Sequence, residues 1–257
     1  MSNVFVVTAI TPELGADKDP RIAFDNLAST AATVTASHDT SGAEKTFDGL
    51  TTLKWRPANA APTLQFDGSF SDVDYIALAG VNWLTAGCSL TVKDSGGSTL
   101  ATISGLKDNQ PALLIIDKAV QTTIKFEFSC SNTLLEVGEV YFGESILFPR
   151  NVSVGYQPGR WTSNDIVTTS RTEANQFGPS GVRARGTTEI FKINFVETSF
   201  METTFKDFIN DAKGLPIFFL WNKNNNDQAV YGNWTASAPT FESSLLSSIN
   251  MTIRGVA

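Results

Sequence analysis

The chain of 257 residues is 42% hydrophobic and 18% charged and carries a formal net charge of −7. That length supports one large domain or two of ordinary size without a disulfide framework, and the composition excludes disorder over most of the chain. The longest apolar runs, Ala112–Ile116 and Ile217–Trp221, fall far short of the ~20 residues that span a bilayer, so membrane insertion is not expected.

Met1–Val7 has no basic n-region and its apolar stretch is soon interrupted, which argues against an export signal and for a protein that folds where it is made. From residue 20 on, short apolar segments alternate with turn clusters. Thr63–Phe66 precedes Asp67-Gly68, Tyr75–Ala79 precedes Gly80, and Leu90–Val92 precedes Asp94–Gly97. Thr122, Ile124, Phe126 and Phe128 keep a period of two, the pattern of a half-buried strand. With 18 Phe, 5 Trp and 4 Tyr, these segments predict a β-sandwich. Cys88 and Cys130 lie far apart without a second pair and are expected as buried free thiols.

A boundary is expected near residue 145, where Gly143–Ser145 is followed by Phe148-Pro149-Arg150. Charge changes there too: residues 1–145 hold 9 basic and 17 acidic groups, residues 146–257 hold 10 and 9. Neither balance suits a nucleic-acid face. Beyond the boundary, Asn151–Gly155, Phe191–Phe195 and Ile249–Arg254 are expected strands. Ser199 and Glu202 form an expected capping box, opening a helix to Lys213 whose apolar stripe is Phe200, Met201, Phe205, Phe208, Ile209 and Ala212. Lys213-Gly214 and Pro216 end it.

Catalysis is not expected. His38 is the only histidine and has loop-like neighbours, which argues against imidazole triads and multi-histidine zinc sites, and no phosphate-cradling or nucleophile-elbow motif occurs. A carboxylate pair in a cleft, as a hydrolase would need, cannot be read from sequence.

Two resemblances follow from these segments. Asn26–Ser29, Phe47-Asp48-Gly49-Leu50 through Trp55, and Val137–Gly143 resemble the opening strand, Asp-Gly turn and closing strand of the discoidin, or F5/8 type C, family, a galactose-binding-like jelly roll. The resemblance covers about residues 20–144. It implies carbohydrate-binding loops, for which His38, Trp55, Arg56 and Trp83 are the candidates. In calcium-carrying members the turn aspartate and closing glutamate are ligands, which carries over to Asp48 and Glu139. Leu53 replaces the usual threonine, Thr52 stands one place early and Leu50 replaces a polar residue, so no cofactor is expected: the two acids are read as hydrogen-bonded structural residues, with a structural Ca2+ at them as the alternative.

The second resemblance covers about 146–257. The opening strand, the Gly/Arg-rich excursion to Gly186, the single helix, Gly214–Trp221 and the alternating strand to Val256 are similar in order to the tail-tube-like domain of bacteriophage distal tail proteins. It implies a hexameric or trimeric ring at a virion's tail tip, assembled in the bacterial cytoplasm. Its partners would be itself, other tip proteins and host-surface glycan. Tyr156, Arg160, Trp161, Arg171, Arg183 and Arg185, on an excursion long enough to be an extended hairpin or arm, are the candidate interface. The expected fold is therefore mainly all-β: an N-terminal jelly-roll β-sandwich (1–145) and a C-terminal tail-tube-like β-sandwich or barrel with one α-helix (146–257). The leading expectation is a structural tail-tip protein, and the alternative is a carbohydrate-binding module protein outside any virion.

Overall fold

The computed structural model describes residues 20–38, 42–158, 188–222 and 228–255, and the backbone of Ile166–Arg171 and Phe177–Arg183. The chain is mainly β, and among the described residues the strands form a six-stranded sheet, a seven-stranded sheet and a separate two-stranded hairpin. The first described strand is β1 (Arg21–Ala23), which pairs antiparallel with Phe218–Leu220 on one side and Ile146–Leu147 on the other. Residues 21–23 are thus strand partners of the second sheet, although they precede the expected boundary at 145, and the jelly roll is strung between two strands of its neighbour.

Asn26–Ser29 is not the expected opening strand. The Asn26 carboxamide oxygen accepts from Ala28 N at 3.1 Å and starts a 3-10 turn over Leu27–Thr30, a local bond that competes with a ladder. The jelly roll then comprises β2 (Thr33–Ala36), β3 (Thr63–Ala79), the short helix α1 (Trp83–Ala86), β4 (Cys88–Lys93), β5 (Thr99–Ile103), β6 (Ala112–Cys130) and β7 (Glu139–Gly143). Asp67-Gly68, expected as a turn, does not end β3. Three register shifts between Asp67 and Tyr75 bend the strand instead, so its first part pairs with β2 and its last part with β7. Leu64, Phe66, Ile76 and Leu78 of β3 meet Phe126 and Phe142 in a core enclosed by the fold.

Cys88 and Cys130 are not free thiols; they form a disulfide. The register of β4 on β6 sets them directly opposite each other, a juxtaposition that their separation of 42 residues could not reveal.

The second sheet holds β1, β8 (Ile146–Leu147), β11 (Thr188–Glu197), β12 (Ile217–Leu220), β13 (Val230–Ala236), β14 (Thr240–Phe241) and β15 (Leu246–Gly255). Asn151–Gly155 is not a strand: Tyr156 N donates to Ser153 O at 3.1 Å, closing a turn in which Gly155 has φ +89°. The excursion does contain a hairpin, β9 (Ile166–Arg171) with β10 (Phe177–Arg183). In β11 a bulge between Ile193 and Val196 puts Phe195 at φ +59° and outside the core, while Val196 takes the buried place.

The helix over 198–211 follows β11 directly and includes one π segment, Met201–Phe205. The expected Ser199–Glu202 capping box does not form. The chain is already helical at Thr198, and Thr198 N donates to Leu245 O at 2.9 Å, so a strand-side carbonyl does the work of a side-chain cap. Met201, Phe205, Phe208 and Ala212 are buried as the stripe predicts, with Phe200 and Ile209 packed beside them.

The alternation of β12 ties the two bodies together. Ile217 and Phe219 face the helix-side core, whereas Phe218 and Leu220 face a third cluster with Tyr75, Ala77, Leu113 and Tyr141 of the jelly roll and Tyr231 of β13. Beside this seam Arg21 pairs with Asp74 at 3.0 Å, and Ser145 N and Oγ donate to the same carboxylate at 2.7 and 2.9 Å. Gly143 allows the close approach: a Cβ there would lie 2.4 Å from Asp25 O.

Candidate functional site

Trp55 and Trp83 do not offer their rings to a ligand. Both are fully buried and flank Phe128, with ring centroids 6.1 and 6.5 Å from it. Large aromatic surface is most stabilising inside, and sequence does not show which face of a loop turns inward. Trp55 acts as an anchor. Its backbone exchanges hydrogen bonds with Val137 at 2.9 and 3.0 Å, an isolated bridge between two loops.

With Trp55 inward, its neighbours Lys54 and Arg56 turn away from the core, Arg56 exposed and Lys54 largely covered, and the bridge sets Glu136 against them. The Glu136 carboxylate accepts from Lys54 Nζ at 3.2 Å on one oxygen and from Arg56 Nε at 2.8 Å on the other. Asn82 holds this loop, since its Oδ1 accepts from Glu136 N and its Nδ2 donates to Leu134 O, both at 2.7 Å. Asp108 supports the next one, accepting from Leu84 N and Thr85 N at 2.7 and 3.0 Å. Burial pushes the Asp108 pKa up, but the bonds from Thr85 and Leu84 and the nearby Lys54 charge outweigh it and hold it below the ordinary carboxylate value. Leu84 and Leu134 are exposed on these same loops. Of the expected sugar-contacting residues, only Arg56 belongs to this cluster and faces outward. His38 is exposed with φ +56°, its Nε2 3.1 Å from Asn59 Nδ2, in a different hydrogen-bonding group. Sequence reading missed Lys54, Asn82, Asp108 and Glu136. The usable signal was the alternation around a tryptophan destined for the core.

The structure brings Asp48 and Glu139 together. Glu139 is fully buried, and neither of its carboxylate oxygens receives a well-formed hydrogen bond, although Asp48 and the N–H groups of Gly49 and Leu50 lie against it. Burial first, and then Asp48, push its pKa up to about 8. A fully buried carboxylate set against a second acid is costly as a charged pair, and a shared proton or an oxygen-ligated cation would relieve it. The oxygen donors brought together there are the two carboxylates, and the backbone beside them presents the N–H groups of Gly49 and Leu50. Among the described residues no group of three or more His, Cys, Asp and Glu side chains is placed to hold a metal. Asp48 also lines a cleft of about 1020 Å3 where the bodies meet, together with Asp25, Glu144, Asp207 and Asp211.

Tyr156 is engaged within its own chain: its hydroxyl donates to Glu189 at 2.6 Å and its ring lies 5.8 Å from that of Trp221. Its partly buried ring packs against the second body's core. Arg171 and Arg183 close strands β9 and β10, with side chains outside the described residues, and Arg160, Trp161 and Arg185 lie outside them altogether. No helix among the described residues is long and apolar enough to cross a membrane.

No protein-family model and no curated protein matches the chain. Solved structures do. The chain is similar to a chitosan-binding module from a chitosanase/glucanase of Paenibacillus sp. IK-5, at 18% identity over 47% of this chain and 98% of that one, with a TM-score of 0.35. It is similar to a CBM32 module of Clostridium perfringens in complex with GalNAc-β-1,3-galactose, at 12% identity over 46% and 99% of the two chains and a TM-score of 0.37. It is also similar to the lectin-binding domain of Lectinolysin complexed with Lewis b, at 14% identity over 49% and 99% and a TM-score of 0.39.

Proposed function

We propose that the jelly roll is a glycan-binding module, and that sugar docks on the loop end formed by residues 54–56, 82–85, 108 and 134–136. The observation that carries this reading is the Glu136 carboxylate held between Lys54 and Arg56. Sugar hydroxyls both donate and accept. A carboxylate supplies fixed acceptors, and the guanidinium and ammonium supply charge-assisted donors at its sides. Exposed Leu84 and Leu134 offer apolar surface for the C–H face of a ring. The buried indoles beneath fix the loops and so limit the entropy lost on binding. No catalytic step is part of this reading.

Calorimetric titration with galactose, GalNAc and fucose glycans tests it. Arg56→Ala and Glu136→Gln should each weaken binding at least ~10-fold, the scale of one charge-assisted hydrogen bond, with melting temperature nearly unchanged. His38→Ala should bind as the wild type does. Equal binding by all three variants would sink the assignment.

A second reading, a self-assembling tail-tip ring, is favoured by one feature. The β9–β10 hairpin forms its own two-stranded sheet, and β11, at the edge of the second sheet, exposes Ile190 and Phe195. Light scattering on the full chain and on a 158–184 deletion tests this: rings lost in the deletion support it, and a monomeric full chain refutes it.

A further inference from the structure

The disulfide lies at the root of the loop end. Cys88 opens β4 directly after α1 and its cap Gly87, and Cys130 is the last residue of β6, after which the chain runs out into residues 131–136. The two loops that start from these cysteines, 82–87 and 131–136, carry Leu84, Leu134 and Glu136. Hydrogen bonds join them from the disulfide outward. Ser131 N is shared between the carbonyls of Ala86 and Gly87, each at 3.2 Å, Asn132 Nδ2 donates to Thr85 O at 3.0 Å, and Asn82 closes the far end on Leu134 and Glu136. The segment that bears Arg56 reaches the same root, because Cys130 N donates to Ala60 O at 2.7 Å. The bonds from Asn132 and from Asn82 to Leu134 are exposed, and there water competes for both partners and leaves little net free energy. A covalent bond is not open to that competition, so the cysteine pair fixes the spacing from which the others start. Cys88 is buried and Cys130 only partly so, and a dissolved thiol therefore meets the Cys130 sulfur first.

We propose that Cys88–Cys130 is a reversible thiol–disulfide site that sets how firmly the loop end is held, and through it the affinity for what docks there. The ligand is taken from the glycan reading of the loop end, whereas the hold on the loops stands on their own geometry. A thiolate attacks the Cys130 sulfur, the S–S bond breaks, and its electron pair leaves on Cys88, which takes up a proton. A second thiol then attacks the mixed disulfide, so two external thiols are oxidised to one disulfide while the protein gains two thiols. Oxidised glutathione reverses the sequence. With the bond open, the terminal Cys88–Cys130 pair of the β4–β6 ladder frays, Ser131 releases Ala86 and Gly87, and Leu134 and Glu136 lose their fixed distance from Leu84 and Arg56. Sugar must then restore that order on binding, which weakens it.

Dithiothreitol and oxidised glutathione are the probes, on the full chain. Hydrogen exchange and the calorimetric titrations are the readouts, with mass after alkylation counting the thiols. Reduction should speed amide exchange about 10-fold in 82–87 and 131–136, the scale of one lost hydrogen bond. The β4–β5 turn at 94–98, at the far end of β4, should keep its rate, and re-oxidation should restore the loops. A glycan that binds the oxidised chain should bind the reduced chain about 3–10-fold more weakly, the cost of ordering roughly one long side chain. Cys88→Ser with Cys130→Ser should match the reduced wild type and ignore dithiothreitol. If that variant does not fold, reversible reduction of the wild type decides by itself. Unchanged exchange of the two loops on reduction overturns the proposal. So does a disulfide that dithiothreitol does not open in the folded chain, an acceleration as large at 94–98 as in the loops, or equal glycan affinity in the two states. An oxidised chain that binds none of the three glycans strikes the glycan reading instead, and the exchange rates then decide the hold on the loops.

Discussion

The two bodies solve the problem of burying a sheet in different ways. In the jelly roll, β3 and β6 bend so that a single set of strands wraps its own core, and the Cys88–Cys130 disulfide ties β4 to β6 near one end. The second sheet does not close on itself. Its helix covers one face, and part of the other face is covered by the jelly roll, which is why all four residues of β12 are buried. Strand β1, which precedes the jelly roll, sits inside that second sheet. The first body can thus be regarded as a closed core and the second as an open one completed by its neighbour.

The largest effect should come from the seam. Phe218 is fully buried there between Tyr141 and Tyr231, and Phe218→Ala leaves a cavity expected to cost about 3–5 kcal/mol. Phe66→Ala, in the closed core, removes a ring of the same size at a similar cost. The two should differ in where the loss is felt. By hydrogen exchange, Phe218→Ala should loosen β12, β13 and β7 together, and Phe66→Ala should loosen the jelly roll first. Identical exchange maps for the two variants would erase the distinction between closed and open cores.

The disulfide gives a smaller and more local test. Cys88→Ala with Cys130→Ala should cost about 2–4 kcal/mol, chiefly by releasing the unfolded chain from a cross-link. Because both cysteines lie in β4 and β6, away from the seam cluster, the jelly roll should weaken while the helix-side core of the second body changes little. Equal weakening of both bodies in denaturant titrations would mean that they unfold as one unit.

Much of this architecture is legible in the sequence, and the failures share a cause. Local periodicity is a property of neighbouring residues, so the period of two over Thr122–Phe128 and the stripe from Met201 to Ala212 both survive in the structure. The Asp48–Glu139 juxtaposition was legible only through family resemblance. Register is not local. It pairs Cys88 with Cys130, sends Trp55 inward so that Arg56 faces out, and lets a bulge exchange Phe195 for Val196. Competition between a side-chain bond and a ladder decided Asn26, and a distant carbonyl, Leu245 O, displaced the expected serine cap. Each outcome depends on a partner more than ten residues away or on a choice between two local bonds of similar strength.

The smallest expected effect separates the loop end from the seam by the sign of its pH dependence. Asp108 at the loop end has a pKa lowered from 3.8, and Asp25 at the seam has one raised from 3.8, by burial first and then by Glu144 and Asp211. A lowered folded value means that Asp108 adds stability above its ordinary pKa and loses that contribution as pH falls through the lowered value. A raised value means the reverse: the contribution of Asp25 is complete below 3.8 and disappears as pH rises through its raised pKa. Melting temperatures between pH 2 and 7, with a chelator present to keep cations from the cleft, should separate the two. Asp108→Asn should be less stable than the wild type at neutral pH and converge with it in acid. Its effect should stay below about 1 kcal/mol, because the group is exposed and solvent screens it. Asp25→Asn should be closest to the wild type in acid and gain on it as pH rises. Parallel curves for the two variants would show that charge at the loop end and charge at the seam are not held in opposite ways.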